Sequence, residues 1–179
     1  ESGVCGQCVD ALTDGQLVQW KTLTVESDES DETGSGPILH WAARHGNLQA
    51  VIALLRRGLD VDTRDSYEST ALMWSADGGH VEVAATLLEK GASIETVNSN
   101  TATALLFAAG AGHEAVAALL IDKGASIDAV NMNTATALIC SAQKGHEAMV
   151  ALLIDKRASI DAVNNNEATA LICAAEAGH

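Results

Sequence analysis

Apolar residues along this chain fall into short stretches of helical spacing, separated by glycines and by small polar clusters. In the stretch from Thr70 to Gly79, Leu72, Ser75 and Ala76 recur at helical spacing, with small residues on the side that must meet a neighbour. A second helix is predicted from about Val81 to Glu89, with Val83, Ala84, Leu87 and Leu88 on one face. Thr70 stands at the N-cap of the first helix, where a hydroxyl oxygen can accept from free backbone N–H groups. Gly79 and Gly91 stand where the two helices stop, because glycine enters the left-handed conformation without strain. Between units, Ser93 to Asn98 alternates before an Asn/Ser turn and reads as the extended arm of a hairpin. One helix pair of this length cannot bury its own apolar face, so neighbours must stack on it.

The neighbours are present. Shifting the sequence by 33 residues aligns Thr70-Ala71-Leu72 with Thr103-Ala104-Leu105, Thr136-Ala137-Leu138 and Thr169-Ala170-Leu171. The same shift aligns Gly79-His80 with Gly112-His113, Gly145-His146 and Gly178-His179. It also aligns Gly91-Ala92-Ser93-Ile94 with Gly124-Ala125-Ser126-Ile127 and Arg157-Ala158-Ser159-Ile160. With Pro37-Ile38-Leu39-His40-Trp41-Ala42-Ala43 and the following Gly46-Asn47, the chain resembles the ankyrin repeat family. The resemblance implies an all-α solenoid of stacked helix-turn-helix units joined by short hairpin loops. Repeats are placed at about 37–63, 64–96, 97–129 and 130–162, with a partial one at 163–179.

The departures from that family are specific. Glu68, Thr101, Thr134 and Glu167 stand where its turn glycine would be. After the first repeat, its Pro and His give way to Ala and to Met, Leu or Ile. Residues 1–25 read as a degenerate N-terminal capping repeat, in which Ala11-Leu12-Thr13-Asp14-Gly15-Gln16-Leu17 echoes Ala42 to Leu48. Residues 26–36 read as an acidic Ser/Gly linker. Its acidic run, 26–32, is a solvated loop or a docking strip for a basic partner, tunable by phosphorylation of Ser27 or Ser30. At the other end, Leu171, Ile172 and Ala174 are expected to lack full cover, which further repeats or a partner would supply.

Composition sharpens this picture. Apolar residues make up 47% of the 179, but aromatics only 3%, and alanine, the best helix former, carries much of the apolar share. A net charge of -14 opposes direct binding to nucleic acid or to an anionic membrane, both of which need a basic footprint. No apolar run is long enough to span a bilayer, so no direct membrane insertion is expected. Four cysteines do not suggest a secreted disulfide scaffold. An intracellular setting follows, cytoplasmic or organellar. The chain begins at Glu1 and reads as processed or partial, so a targeting segment is not legible.

The residues that suggest chemistry have plainer readings. His80, His113, His146 and His179 recur once per repeat at the turn between helices, where the resemblance implies hydrogen bonding to backbone rather than metal binding. Their expected use is structural. Cys5 and Cys8 have CxxC spacing but lack a second ligand pair, or a strand–helix unit, to make them a metal or redox site; they read as two ordinary thiols on the cap helix or as a disulfide that anchors an extended N-terminus. Cys140 and Cys173 share a register with Trp41, Trp74 and Phe107 and read as small core or groove fillers. No catalytic triad, carboxylate pair or phosphate loop is recognisable, so neither an enzyme, a cofactor nor a metal is predicted.

The resemblance implies binding of a protein partner through hairpin tips and exposed positions of the first helices. Those positions are Arg44, His45, Arg64, Ser66, Tyr67 and Asp77 early in the chain, with Gly110, Ala111, Met132, Asn133, Gln143, Lys144 and Glu176 later. Binding hot spots favour Tyr, Trp and Arg. Recognition is therefore expected around Arg44, Arg64, Tyr67 and Trp74, with the later, Asn-rich repeats serving as platform. Three roles fit such a chain: an interaction scaffold, a permanent structural or accessory subunit of a large complex such as an organellar membrane complex, and the non-catalytic arm of a larger enzyme or channel.

Overall fold

The computed structural model describes residues 38–179. The capping repeat at 1–25, the linker at 26–36, Pro37, and the pair Cys5 and Cys8 lie outside the described residues. Among the described residues there are nine helices and no strand. Four pairs run α1 (Ile38–Arg44) with α2 (Leu48–Arg56), α3 (Ala71–Asp77) with α4 (Val81–Glu89), α5 (Ala104–Ala111) with α6 (Glu114–Asp122), and α7 (Ala137–Gln143) with α8 (Glu147–Asp155). A last first-type helix, α9 (Ala170–Ala177), follows. The first helices α1, α3, α5, α7 and α9 stack in one layer and α2, α4, α6 and α8 in another. Contact within the first layer is much the more extensive. Its small residues explain this: Ala42, Ala43, Ala71, Ala76, Ala108, Ala109 and Ala137 are all buried and let backbones come close.

Helix starts follow the threonines. Thr103, Thr136 and Thr169 sit in extended backbone and their hydroxyls accept from Leu106 N, Ile139 N and Ile172 N. Thr70 holds the same place, and its own N–H donates to Met73 Sδ at 3.5 Å. The second helices bury the predicted faces: Val83, Ala84 and Leu87, then Val116, Ala117 and Leu120, then Met149 and Leu153. Leu88 is only half-buried.

The expected extended arm at Ser93 to Asn98 does not form a strand. One isolated bridge, Arg64 with Thr70, is the only such pairing among the described residues. Each connection instead closes on itself, as in Asn98 N–H to Ala102 O at 3.2 Å. At its tip Glu68, Thr101, Thr134 and Glu167 adopt φ of 59°, 56°, 54° and 59°. These are the four positions where glycine was missed, and the backbone keeps the left-handed turn without it. The residue three before each one offsets the strain. Asp65 Oδ1 accepts from Tyr67 N and Ser69 N, and Asn98 Oδ1 accepts from Asn100 N and Ala102 N. Asn131 and Asn164 do the same in their repeats.

Successive tips are tied edge to edge by Ser99 N–H to Tyr67 O, Met132 N–H to Asn100 O and Asn165 N–H to Asn133 O. A second set of ties joins the bases of the connections. Ser93 N–H donates to Asp62, Ser126 N–H to Glu95 and Ser159 N–H to Asp128. At α9, Leu171 is 79% exposed and Ile172 is also exposed, beside an open apolar groove shared with α8.

Candidate binding surface

The surface presented by the first helices and the tips is set by the register of the stack, and the histidines hold that register. His80 Nε2–H donates to the carbonyl of Arg44 at 2.9 Å, His113 to that of Asp77 at 2.9 Å, and His146 to that of Gly110 at 3.1 Å. A carbonyl only accepts, so the proton is on Nε2. Each ring lies on the glycine of the preceding repeat: a Cβ on Gly46, Gly79, Gly112 or Gly145 would stand within 2.8 Å of the ring of His80, His113, His146 or His179. The Gly-His pair is therefore two halves of a joint, the glycine seating the histidine of the next repeat. Among the described residues no group of three His, Cys, Asp or Glu could hold a metal ion.

Three of the predicted surface residues come together at the junction of repeats one and two. The Arg44 guanidinium carbon lies 4.7 Å from the centre of the Trp74 ring, and Arg44 Nη2 is 3.5 Å from Asp77 Oδ2. Trp74 Nε1–H donates to Asp65 Oδ2 at 2.8 Å. Asp65 thus joins the tip to the groove, since its other oxygen cradles the turn that carries Tyr67. The sequence reading missed Asp65. Its signal was its register, an aspartate where the other repeats have Asn98, Asn131 and Asn164, nine residues before a tryptophan.

The remaining predicted residues are separate from that junction. Arg64 reaches Glu68 at 3.4 Å and the Val97 carbonyl at 3.3 Å, both on exposed surface. Tyr67 is 62% exposed at the tip, and Ser66 is exposed beside it. His45 stacks on Trp41 with ring centres 4.4 Å apart, its Nδ1–H donating to the Trp41 carbonyl.

The aromatic register continues. Trp74 and Phe107 lie with ring centres 6.1 Å apart, after which Cys140 and Cys173 take the position. Cys173 is buried and accepts a long bond from Asn164 Nδ2 at 3.6 Å. Burial, with a smaller contribution from Cys173, pushes the Cys140 thiol above its ordinary pKa, and Lys144 pulls weakly the other way. The Cys140 thiol is not activated as a nucleophile by this setting.

The model of ankyrin repeats matches the chain in three copies, over residues 10–98, 39–131 and 128–179. The chain belongs to the ankyrin repeat family. No curated protein matches it. Ankyrin repeats are protein–protein interaction modules, and the described part of this one presents its stacked first helices and tied tips as a continuous surface. No described helix is long and apolar enough to cross a membrane.

Proposed function

We propose that this ankyrin chain is a non-catalytic scaffold that holds a protein partner against its first two repeats. One observation carries the reading. Arg44, Trp74 and Asp77 meet at the junction of repeats one and two, and Arg64 and Tyr67 stand exposed in the connection that precedes α3. In repeats three and four the register of Arg44 and Asp77 holds Gly110 and Gln143, that of Trp74 holds Phe107 and Cys140, that of Arg64 holds Val97 and Val130, and that of Tyr67 holds Asn100 and Asn133, so one aromatic and no charged group recurs. Arg44 and Trp74 are already in contact, which lowers the cost of ordering them on binding. His45 and Ser66 are exposed next to Arg44 and Tyr67 in the chain.

The test is capture of partners with the whole chain and with an Arg64→Ala/Tyr67→Ala double variant. Both side chains are exposed, and the Arg64–Glu68 pair is worth little, so the variant should fold with unchanged thermal midpoint. Capture should weaken at least about tenfold, as hot-spot truncations of this kind do. Equal capture by both proteins would remove the surface from consideration.

A further inference from the structure

Repeat two carries a recess that repeat one has filled. Over Trp74 lies Arg44, paired with Asp77. One repeat further along, Phe107 takes the place of Trp74, Asp77 the place of Arg44, and Gly110 the place of Asp77. Aspartate is too short to cover the next ring, and glycine covers nothing. The result is a recess of about 250 Å³, with Phe107, Leu106, Ala111 and Cys140 as its apolar lining and Asp77 and Asn131 at its polar edge. A Cβ on Gly110 would meet nothing within 4 Å.

We propose that this recess takes an arginine side chain of the protein partner, its guanidinium over Phe107 and bonded to Asp77. The inference rests on the scaffold reading given above and names one residue type that the partner must offer. Five observations support it. Arg44 over Trp74 is the same arrangement made within the chain, so the geometry is one this scaffold already holds. The volume suits a single long side chain. Asp77 uses Oδ2 toward Arg44, at a length of 3.5 Å, and its Oδ1 is free to accept a second guanidinium. The last turns of α3 and α5 line the recess, and helix C-termini favour cations. A planar guanidinium can stack on an aromatic face and still pair edge-on with a carboxylate, which an ammonium cannot do. The sixteen Asp and Glu against nine Lys and Arg of residues 38–179 favour a basic visitor in general.

The probe is the peptide acetyl-Gly-Ala-Arg-Ala-Gly-amide, with citrulline and norleucine versions, added to the whole chain labelled with ¹⁵N. The arginine peptide should shift the amide signals of Phe107, Gly110, Ala111 and Cys140 in a saturable way. Citrulline, which keeps the shape and loses the charge, should not. Asp77→Asn should weaken the binding by about fivefold, the size of a solvent-accessible ion pair. Gly110→Gln, which places at this position the side chain the protein itself uses at Gln143, should abolish it. Neither substitution should change the pattern of unperturbed signals, because the Asp77 carbonyl still takes the His113 bond. The proposal is overturned if citrulline or norleucine acts like arginine, or if the shifts spread evenly over the acidic surface. It is also overturned if both variants bind as the parent does. The peptide carries no other partner feature, so its failure leaves the capture experiment standing. Loss of the capture result would in turn leave the peptide result intact.

Discussion

The joint between glycine and the next repeat's histidine makes a quantitative prediction at Gly79. Its φ is +74°, and an added Cβ would stand 2.6 Å from His113 Nδ1. Alanine there costs roughly 1–2 kcal/mol of left-handed strain, offset by about 0.5 kcal/mol through the stiffer unfolded chain. The ring must also move, which loses its bond to Asp77 O, worth about 1 kcal/mol, and about as much again in packing. Gly79→Ala should therefore destabilise by about 3 kcal/mol. Gly91 supplies the control, with φ +90° and nothing within 4 Å of its Cβ. Gly91→Ala carries the backbone strain alone, about 1 kcal/mol. The gap of ~2 kcal/mol corresponds to roughly 4–8 °C in thermal midpoint for a chain of this size, readable by circular dichroism at 222 nm. In a His113→Ala background the two glycine substitutions should become equivalent. If Gly79→Ala proves no worse than Gly91→Ala in the parent, the histidine is not seated on that glycine and the joint is wrong.

Two further outcomes follow from the same geometry. Thr101 is β-branched at φ 56°, so Thr101→Gly should relieve strain of ~1 kcal/mol or more, partly offset by the freer unfolded chain, and raise the urea midpoint; a lowered midpoint would show that the hydroxyl contributes more than the backbone strain. The Cys140 thiol has a folded pKa above its unfolded one, so its contribution is complete below about pH 8.5 and is lost as pH rises through the folded value. Thermal midpoints of parent and Cys140→Ala should therefore run parallel to pH 8 and converge above it, and parallel curves to pH 10 would contradict the burial.

Much of the fold was legible because helix packing between repeats is local and periodic. Helix α4 runs over the span read from Val83, Ala84 and Leu87, since an apolar face with 3.6-residue spacing has one stable disposition in a stack. The tips were legible in place but not in conformation. Ser93 to Asn98 alternates like a strand, yet a strand needs a partner edge, and the closure of each loop on its own Asp or Asn removes that edge. The turns at Glu68, Thr101, Thr134 and Glu167 lack the family's glycine and keep a left-handed residue all the same, because a side chain three residues earlier bonds each turn twice.

The candidate site divides in the same way. Sequence alone determined which residues are available at the surface of each repeat, because the 33-residue period fixes which positions share a register. Only the tertiary structure decided which of them meet. Arg44 and Trp74 lie thirty residues apart, and their contact depends on the rise from one repeat to the next, which no single repeat encodes. Asp65 acquires its role from Trp74 in the same way. The recess over Phe107 exists because Asp77, Phe107 and Gly110, which lie in different repeats, become adjacent only when the repeats are stacked.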